Sequence, residues 1–196
     1  MAITSGIFGD EANFSDRYIT ELGDLCQLVE HLKGIGLKIV LTSGSFDLIH
    51  LGHLKYLELA KNMGDVLIVG VDGDEKIRRR KGPDRPMVPQ DERLETLAYQ
   101  RPVDILYVKG ADDERWSLIS TVQPDVLVLS NDHGYKPGEM KALKKFCGEI
   151  AVMERQSTTT TSERIRQMFM HLGEKLGPQL AEILPQLIDD IARGKR

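Results

Sequence analysis

The sequence has few of the residues that mark several common protein classes. Its 196 residues include two cysteines, Cys26 and Cys147, which have neither the spacing of a zinc site nor the number for a disulfide framework. A reducing cytoplasm is therefore expected. No run of about 18 apolar residues occurs, so no segment is predicted to span a membrane. The N-terminus has no basic stretch followed by an apolar one, so no secretory signal is predicted.

Positive charge is not in excess either. The formal net charge is −4, which argues against a protein that coats nucleic acid. Hydrophobic residues make up 41% and charged residues 29% of the chain, as in an ordinary globular domain. We predict a loose leader over residues 1–15, one domain over residues 16–172 with an N-terminal helix at 17–33, and a C-terminal helical extension over residues 173–196.

Apolar runs alternate with helical patterns through most of the chain. Helices are predicted between the runs, and Asp112 or Asp113 is expected to cap the one that ends at Val122. The charged, proline-containing segment at 75–90 is predicted to be a loop. This alternation predicts an α/β fold, a doubly wound, Rossmann-like parallel sheet of five strands with helices on both faces. The strand-like runs are residues 38–44, 65–74, 103–110, 124–130 and 149–154.

In such a sheet, ligands bind beyond the carboxyl ends of the strands. The stretch "SGSFDLIHLGH", Ser43 to His53, lies at the first of these ends and carries two histidines three residues apart. A zinc site on a helix favours a spacing of four, and packing or capping by His50 is a second possibility. Backbone N–H groups and the helix dipole favour an anion at this turn, so the imidazoles are also candidates to contact phosphate.

A second polar segment opens a later helix. "STTTTSERIRQ", Ser157 to Gln167, contains a run of hydroxyl side chains followed by two arginines. Capping by Thr161 or Ser162 explains one hydroxyl. It does not explain the whole run.

These segments together resemble a known family. "GSFDLIHLGH" is similar to the glycine-x-phenylalanine-aspartate segment and HxGH motif of the cytidylyltransferase-like nucleotidyltransferases. The resemblance implies that His50 and His53 are catalytic. It also implies that a hydroxyl-rich helix start grips the β- and γ-phosphates. The nucleotide-binding residues implied at these two segments are Gly44, Ser45, Phe46, Asp47, Gly52, Thr160, Thr161, Ser162 and Arg166.

The segment Lys81 to Asp104, "KGPDRPMVPQDERLETLAYQRPVD", resembles bacterial heptose-1-phosphate adenylyltransferases. Glycerol-3-phosphate cytidylyltransferases share less of it. By resemblance, Lys81 reaches the phosphates as a catalytic residue, although a solvated loop lysine is an equal alternative. Arg93 binds the nucleotide, with a structural salt bridge as its competitor. The implied acceptor contacts are Asp72, Arg85 and His133.

One loop departs from the heptose pattern. After the fourth strand, those enzymes carry lysine, two glycines, aspartate and tyrosine. Here Asp132 keeps the aspartate, which is expected to bind nucleotide, whereas Leu129, Ser130 and Asn131 stand in the preceding places. The departure leaves the base and the acceptor open.

The resemblance therefore implies an enzyme that joins ATP or CTP to a phosphorylated sugar or polyol and releases pyrophosphate. Mg²⁺ is expected to come with the triphosphate, without a metal cage made by the protein. A homodimer is expected, with no nucleic-acid or membrane partner. The alternatives are a glycerol-3-phosphate-type cytidylyltransferase, an adenylyltransferase that makes flavin or nicotinamide coenzymes, and a non-catalytic nucleotide sensor.

Overall fold

A computed structural model describes residues 12–131, 134–154, 156 and 161–192, without the side chains of residues 161, 162, 164, 165 and 186–192. The chain divides into two compact units, Met1–Ser157 and Thr158–Arg196. Within the described part, no helix combines the length and the hydropathy that crossing a bilayer requires.

The first unit is built on one parallel sheet. Six strands are described, in the order β1-β4-β3-β2-β5-β6, and every neighbouring pair is parallel. The strands are β1 (Tyr18–Ile19), β2 (Ile39–Gly44), β3 (Val66–Asp72), β4 (Ile105–Lys109), β5 (Val126–Ser130) and β6 (Glu149–Met153).

Helices connect these strands. Among the described residues they are α1 (Phe14–Arg17), α2 (Leu22–Gly34), α3 (Leu51–Lys61), α4 (Asp74–Lys81), α5 (Gln90–Ala98), α6 (Ser117–Val122) and α7 (Pro137–Leu143). The second unit contains α8 (Thr161–Ala192).

Side chains that alternate along the strands supply two separate cores. Ile39 and Leu41 of β2 pack with Leu25 and Val29 of α2 on one face. Val40, between them in sequence, joins the core of the other face together with the α3 and α5 side chains. Because both faces are covered, the strands are apolar almost throughout, as the sequence pattern indicates.

The α/β sheet is confirmed, but the predicted count of five strands is wrong. The extra strand, β1, lies inside the helix predicted at 17–33, which begins instead at Leu22. Only Tyr18 and Ile19 pair with β4. A run of two residues is too short to show the period-two pattern by which a strand is recognised.

Two further expectations about elements are wrong. The first half of the loop predicted at 75–90 belongs instead to helix α4, Asp74–Lys81. Ile77 is the one buried side chain of this helix, so the sequence shows almost no apolar periodicity there. Neither Asp112 nor Asp113 caps α6, which begins after Trp116. The last helix, α8, is continuous from Thr161 to Ala192, and the division of the chain at residues 172 and 173 stays a prediction.

The strand order places a switch point between β2 and β5. From β2 the chain proceeds outward through β3 and β4, whereas β5 and β6 lie on the opposite side of β2. At such a point the loops that follow the two central strands diverge and leave a crevice where ligands bind. The loop from Ser45 to His50, which leads into α3, begins at this point.

Candidate active site

A strained turn joins β2 to α3. Phe46 (φ 48°) and Leu48 (φ 51°) both have left-handed backbone conformations, which are uncommon for residues other than glycine. Gly44 makes room for this turn, since a Cβ atom there would lie 3.2 Å from Cε2 of Phe46. The buried Phe46 ring in turn packs beside His53, with ring centroids 5.7 Å apart.

The two histidines form the N-terminal cap of α3. Nδ1 of His50 accepts a hydrogen bond from the backbone N–H of Gly52 at 3.1 Å. Nδ1 of His53 accepts one from the backbone N–H of His50 at 3.3 Å. The ring centroids lie 4.0 Å apart. A neutral imidazole whose Nδ1 accepts carries its proton on Nε2, so the cap makes the Nε2 atom of each ring a donor.

The pKa of His53 is lowered from 6.5 to about 4. Burial is the main cause, and the neighbouring His50 and Lys81 add to it, while Asp47 acts in the opposite direction. His53 is therefore neutral at physiological pH. It can donate from Nε2 to an anion without first being protonated.

Asp47 connects this turn to the segment after α4. Its Oδ1 accepts hydrogen bonds from the backbone N–H groups of Met87 at 2.9 Å and Val88 at 3.0 Å. Its Oδ2 lies 3.1 Å from Nη1 of Arg85 in an ion pair that is largely buried. The two sequence motifs, the HxGH turn and the "KGPDRP" segment, are thereby held against each other.

Asp72 lies at the end of β3 and is almost fully buried. Its Oδ1 pairs with Nζ of Lys109 at 3.1 Å, and its Oδ2 pairs with Nη2 of Arg80 at 2.9 Å. The same Arg80 nitrogen donates to Oγ of Ser45 at 2.7 Å. Burial alone would raise the pKa of Asp72, but the Lys109 and Arg80 cations outweigh it and the pKa is lowered. Asp72 is therefore ionised at neutral pH.

Arg93 is buried behind these residues, with 1% of its surface exposed. Its Nη1 donates to the carbonyl oxygens of Ser45 and Asp72, and its Nη2 donates to Oδ1 of Asp74 at 2.7 Å. Its Nε donates to the carbonyl oxygen of Val88 at 3.0 Å. Each nitrogen of the guanidinium has a protein acceptor. A structural role, including the ion pair with Asp74, therefore accounts for these contacts of Arg93. Contact with a nucleotide stays a prediction.

Lys81 is the last residue of α4 and lies at the solvent-exposed rim. The pKa of Lys81 is lowered. Partial burial is the main cause, and the positive charges of Arg80 and Arg85 add to it. It is close enough to His53 to lower the pKa of that imidazole. The side chain belongs to a helix end rather than to a loop, and it adds positive charge next to the histidines.

A pocket of about 360 Å³ adjoins this network at the carboxyl ends of β2, β3 and β4. Its wall includes Trp116, which has a left-handed backbone (φ 69°). The indole N–H is buried and has no hydrogen-bond partner among the described residues, and the Arg115 guanidinium lies 5.0 Å from the centre of the ring. The cations that line the pocket are Lys76, Arg80, Lys109 and Arg115, and the acids are Asp72, Asp113 and Glu114.

The structure brings together most of the site residues that the sequence singles out. These residues lie along one edge of the sheet, on the loops after β2 and β3 and on α3, α4 and α5. Asp132, His133 and Thr160 lie outside the described residues. Thr161 and Ser162 open α8, but their side chains are not described, and Arg166 is exposed on the same helix. The phosphate-binding role of the hydroxyl run therefore stays a prediction.

Two residues of this edge, Arg80 and Trp116, were not singled out from the sequence, and Lys109 was indicated only by its place at the end of a predicted strand. Arg80 stands in a run of three arginines, and only the orientation of α4 selects the one that reaches Asp72 and Ser45. Lys109 ends β4, so the rule that ligands meet the carboxyl ends of strands pointed to it. Nothing in the sequence marks Trp116.

Across the part of the chain that the structure describes, no group of three or more His, Cys, Asp or Glu side chains is placed to hold a metal ion. Both carboxylates at the site have protein partners instead. Asp47 serves two backbone N–H groups and Arg85, and Asp72 serves Lys109 and Arg80.

Comparison with known proteins identifies clear relatives. Residues 41–174 match the model of the family described as Cytidylyltransferase-like. The Bifunctional protein HldE of a Nitratiruptor species is 39% identical over 152 residues, which cover 78% of this chain and 33% of that protein. The protein of the same name from Pseudomonas aeruginosa is 40% identical over 157 residues, which again cover 78% of this chain and 33% of that protein. The chain thus spans about a third of the length of these curated relatives.

Solved structures with the same fold are also found. The lipopolysaccharide core biosynthesis protein from Thermoplasma volcanium GSS1 has a TM-score of 0.54 and 28% identity, covering 61% of this chain and 98% of that one. A pantoate-beta-alanine ligase from Francisella tularensis has a TM-score of 0.53 at 16% identity, covering 74% of this chain and 69% of that one. The second likeness concerns the fold alone.

Proposed function

The chain belongs to the cytidylyltransferase-like family, and we propose that it catalyses nucleotidyl transfer. A phosphate oxygen of a small acceptor attacks the α-phosphorus of a nucleoside triphosphate, the bond from that phosphorus to the β-phosphate bridging oxygen breaks, and pyrophosphate leaves with the bonding electrons. One observation carries the proposal. The cap of α3 turns the Nε2 atoms of His50 and His53 into a pair of donors at a helix N-terminus.

Such donors suit this chemistry. Negative charge increases on the phosphoryl oxygens in the transition state, and preorganised donors stabilise that charge more than they stabilise the ground state. Because each Nδ1 is held by a backbone N–H group, the rings need no reorientation as the charge develops. Lys81, at the end of α4, supplies a cation beside them. Thr160, Thr161, Ser162 and Arg166 are proposed to hold the leaving pyrophosphate.

An acceptor phosphate is already anionic at neutral pH, so the reaction requires no strong general base. The charged groups near the site are consistent with this. Asp47 and Asp72 are both committed to cations of the protein, and His53 uses its lone pair as a helix cap. These groups position the reactants rather than remove a proton, and positioning with charge stabilisation is sufficient for phosphoryl chemistry.

We propose that Mg²⁺ enters as part of the substrate, bound to the triphosphate, where it neutralises charge on the phosphates. Mg²⁺ is commonly held by phosphates and only one or two carboxylates. The carboxylates of Asp47 and Asp72 have protein partners, which supports binding through the triphosphate instead of through a protein cage.

The acceptor is proposed to bind in the pocket next to Asp72. Cations on several elements, including Lys109 and Arg115, suit an anionic phosphate. The Trp116 ring offers an apolar face to a sugar or polyol, and its N–H is a donor that no described residue engages. A phosphorylated sugar satisfies these features together. Arg85 and His133 are further candidate contacts.

Adenylyl transfer to a sugar phosphate is the specific reaction we propose. One support is the resemblance of the segment at 81–104 to heptose-1-phosphate adenylyltransferases. The other is the sequence identity of 39% and 40% to the two HldE proteins. ATP is accordingly the proposed donor, and the chain is proposed to act as a homodimer in the cytoplasm, without nucleic acid or membrane.

Pyrophosphate release tests this function. The full chain is incubated with each of the four ribonucleoside triphosphates and a panel of phosphorylated sugars and polyols, including glycerol 3-phosphate. Release with ATP and a sugar phosphate supports the proposal, whereas release with CTP and glycerol 3-phosphate identifies a cytidylyltransferase. Release with flavin or nicotinamide mononucleotide as acceptor identifies a coenzyme synthase. Triphosphate binding without release for any acceptor contradicts catalysis and favours a sensor.

A further inference from the structure

A fully buried hydroxyl group lies at the centre of the sheet. Thr42, on β2, has 0% of its surface exposed, and a buried hydroxyl is costly unless it is hydrogen-bonded. Its Oγ1 lies 3.0 Å from the carbonyl oxygen of Val128 on β5 and 2.6 Å from Oη of Tyr56 on α3. Oη of Tyr56 in turn lies 3.2 Å from the same carbonyl oxygen. Three elements, β2, β5 and α3, therefore meet in one polar contact.

This contact marks the point where β2 and β5 separate. The pairing of β2 with β3 continues as far as Gly44, whereas its pairing with β5 ends at Leu41, opposite Leu127. Thr42 and Val128 come next on the two strands, and there the side-chain hydroxyls bind the Val128 carbonyl. The contact thus lies at the base of the crevice in which ligands of such sheets bind.

The two hydroxyl groups have different tasks. Thr42 is closer to the Val128 carbonyl than Tyr56 is, so Thr42 donates to this carbonyl and Tyr56 donates to Thr42. Without the phenol, Thr42 would still satisfy the carbonyl. The Tyr56 hydroxyl is therefore not needed to avoid a buried acceptor without a donor. Its effect is to fasten α3 to the centre of the sheet.

Tyr56 lies almost one helical turn after His53. Residues three apart are neighbours on one side of a helix, so the point at which α3 is fastened lies beside the imidazole. The buried apolar side chains of α3, Leu57 and Ala60, follow Tyr56, and apolar contact is not directional. A hydrogen bond is directional, so the Tyr56 hydroxyl limits rotation of α3 about its own axis more sharply than apolar packing does.

A small rotation of α3 matters for the histidine. A rotation of about 10° moves an atom at the rim of a helix, about 5–6 Å from the axis, by about 1 Å. A displacement of about 1 Å at a reacting group can cost about a hundredfold in rate. The Phe46 ring, which packs beside His53, still restrains the imidazole when the hydrogen bond is lost, so a smaller loss is expected for that change.

We propose that Tyr56 is a positioning residue for nucleotidyl transfer. Its hydroxyl fixes the rotation of α3 and thereby directs Nε2 of His53 toward the phosphate. Thr42 is the partner through which the sheet holds this hydroxyl. The inference rests on the proposed function, because Tyr56 acts through the donor of His53 and not on the substrate itself.

Steady-state pyrophosphate release tests this role. Tyr56→Phe should lower kcat about tenfold and leave the KM for ATP nearly unchanged, since the donor that it misplaces acts in the transition state. Thr42→Val leaves Tyr56 within 3.2 Å of the Val128 carbonyl, so its loss should be smaller. Tyr99→Phe removes an exposed hydroxyl that is bonded to Glu95. It is the matched control and should keep the kcat of the wild type.

A double substitution separates positioning from a general loosening of the fold. In His53→Ala the donor is already absent, so adding Tyr56→Phe should lower kcat by less than about twofold. Urea denaturation checks that each variant is folded under the assay conditions. A wild-type kcat in Tyr56→Phe, or a tenfold loss in both backgrounds, would overturn the proposal.

Imidazole resonances keep this test separate from that of the proposed function. In the full chain with 15N-labelled histidine and no substrate, Tyr56→Phe should shift the Nε2 resonance of His53, which His53→Ala assigns, and Tyr99→Phe should not. An unchanged His53 resonance overturns the positioning role whether or not the chain is active. A wild-type chain that releases no pyrophosphate contradicts the proposed function alone, and the resonance then still decides whether Tyr56 directs His53.

Discussion

At the scale of single residues, the histidines have two roles that a substitution can separate. Their Nδ1 atoms stabilise the start of α3, and their Nε2 atoms are proposed to donate to the phosphoryl oxygens. A helix cap contributes about 1 kcal/mol to stability. A donor to a transition-state oxyanion contributes a factor of about 10²–10³ in rate. The chemical role is therefore the larger one.

Replacing His53 should reduce turnover far more than it reduces stability. His53→Ala removes the donor and the cap, so kcat should fall by about 10²–10³ while the fold persists. His53→Gln keeps a side-chain acceptor for the N–H group of His50, so its free energy of unfolding should stay closer to that of the wild type, although its turnover is lost. Steady-state pyrophosphate release and urea denaturation measure the two effects. Near-normal turnover in His53→Ala would refute the catalytic assignment.

Arg93 should behave as a buried structural residue. Arg93→Met leaves Asp74 and three backbone carbonyl oxygens without their donor, which should lower the free energy of unfolding by about 3 kcal/mol. Arg93→Lys should restore only part of this loss, since an ammonium group cannot bridge the same acceptors. Arg101→Met, at an exposed position, is the control. If Arg93→Lys keeps full stability but raises the KM for the triphosphate, Arg93 acts on the nucleotide instead.

At the scale of elements, the site depends on how α3 begins and on how two loops are tied together. The cap of α3 requires the Nδ1 lone pair of His53, which protonation of that atom removes. The loop after α4 is tied down by Asp47.

Acid should destabilise the start of α3. The pKa of His53 is about 4 in the folded protein, below its ordinary value of 6.5. Between these two values the unfolded chain binds more protons, so the free energy of unfolding should fall as the pH drops from about 6.5 to about 4. Denaturation of wild type and His53→Gln across this range isolates the contribution, since Gln does not titrate. Equal pH dependence in the two proteins would show that His53 keeps an ordinary pKa.

Asp47 should hold the segment at 85–88 in place. Asp47→Ala removes the acceptor of the Met87 and Val88 N–H groups, so their hydrogen exchange should accelerate about tenfold or more. Asp47→Asn keeps an oxygen acceptor and should preserve most of the protection. Asp84→Ala, in an exposed neighbouring position, serves as the control. Unchanged exchange in Asp47→Ala would mean that other contacts hold the segment.

At the scale of the whole molecule, stability and substrate binding are expected to depend on different parts of the chain. Every described residue of the two hydrophobic cores lies before residue 154. The hydroxyl run that is predicted to hold pyrophosphate starts at Ser157 and belongs almost entirely to the second unit. Removal of the second unit should therefore affect function without affecting the core.

A chain shortened to residues 1–157 should unfold cooperatively, with a midpoint within a few degrees of that of the full chain. Its turnover should be lost, because Thr160, Thr161 and Ser162 are absent. Thermal unfolding and pyrophosphate release are measured on the same preparations. A fully active shortened chain would exclude the hydroxyl run from the site, and a large drop in the midpoint would show that α8 stabilises the first unit.

The fold class could be predicted from the sequence alone, and so could the place of the HxGH turn in the fold. Continuous apolar runs alternating with helical patterns are a local signal, and a parallel sheet with covered faces follows from them. The HxGH turn is likewise continuous in sequence, so its position at the end of β2 and the start of α3 could be predicted.

Features that depend on residues distant in sequence could not be predicted and became visible in the folded chain. Strand β1 exists because β4 offers it an edge, and Arg80 was distinguished from its neighbours only because α4 directs it toward Asp72 and Ser45. The same holds for Asp47, whose sequence position suggested a nucleotide contact and whose partners lie about forty residues away. Long-range partners leave no periodic pattern in the chain, since hydrogen bonds and ion pairs are set by distance in space.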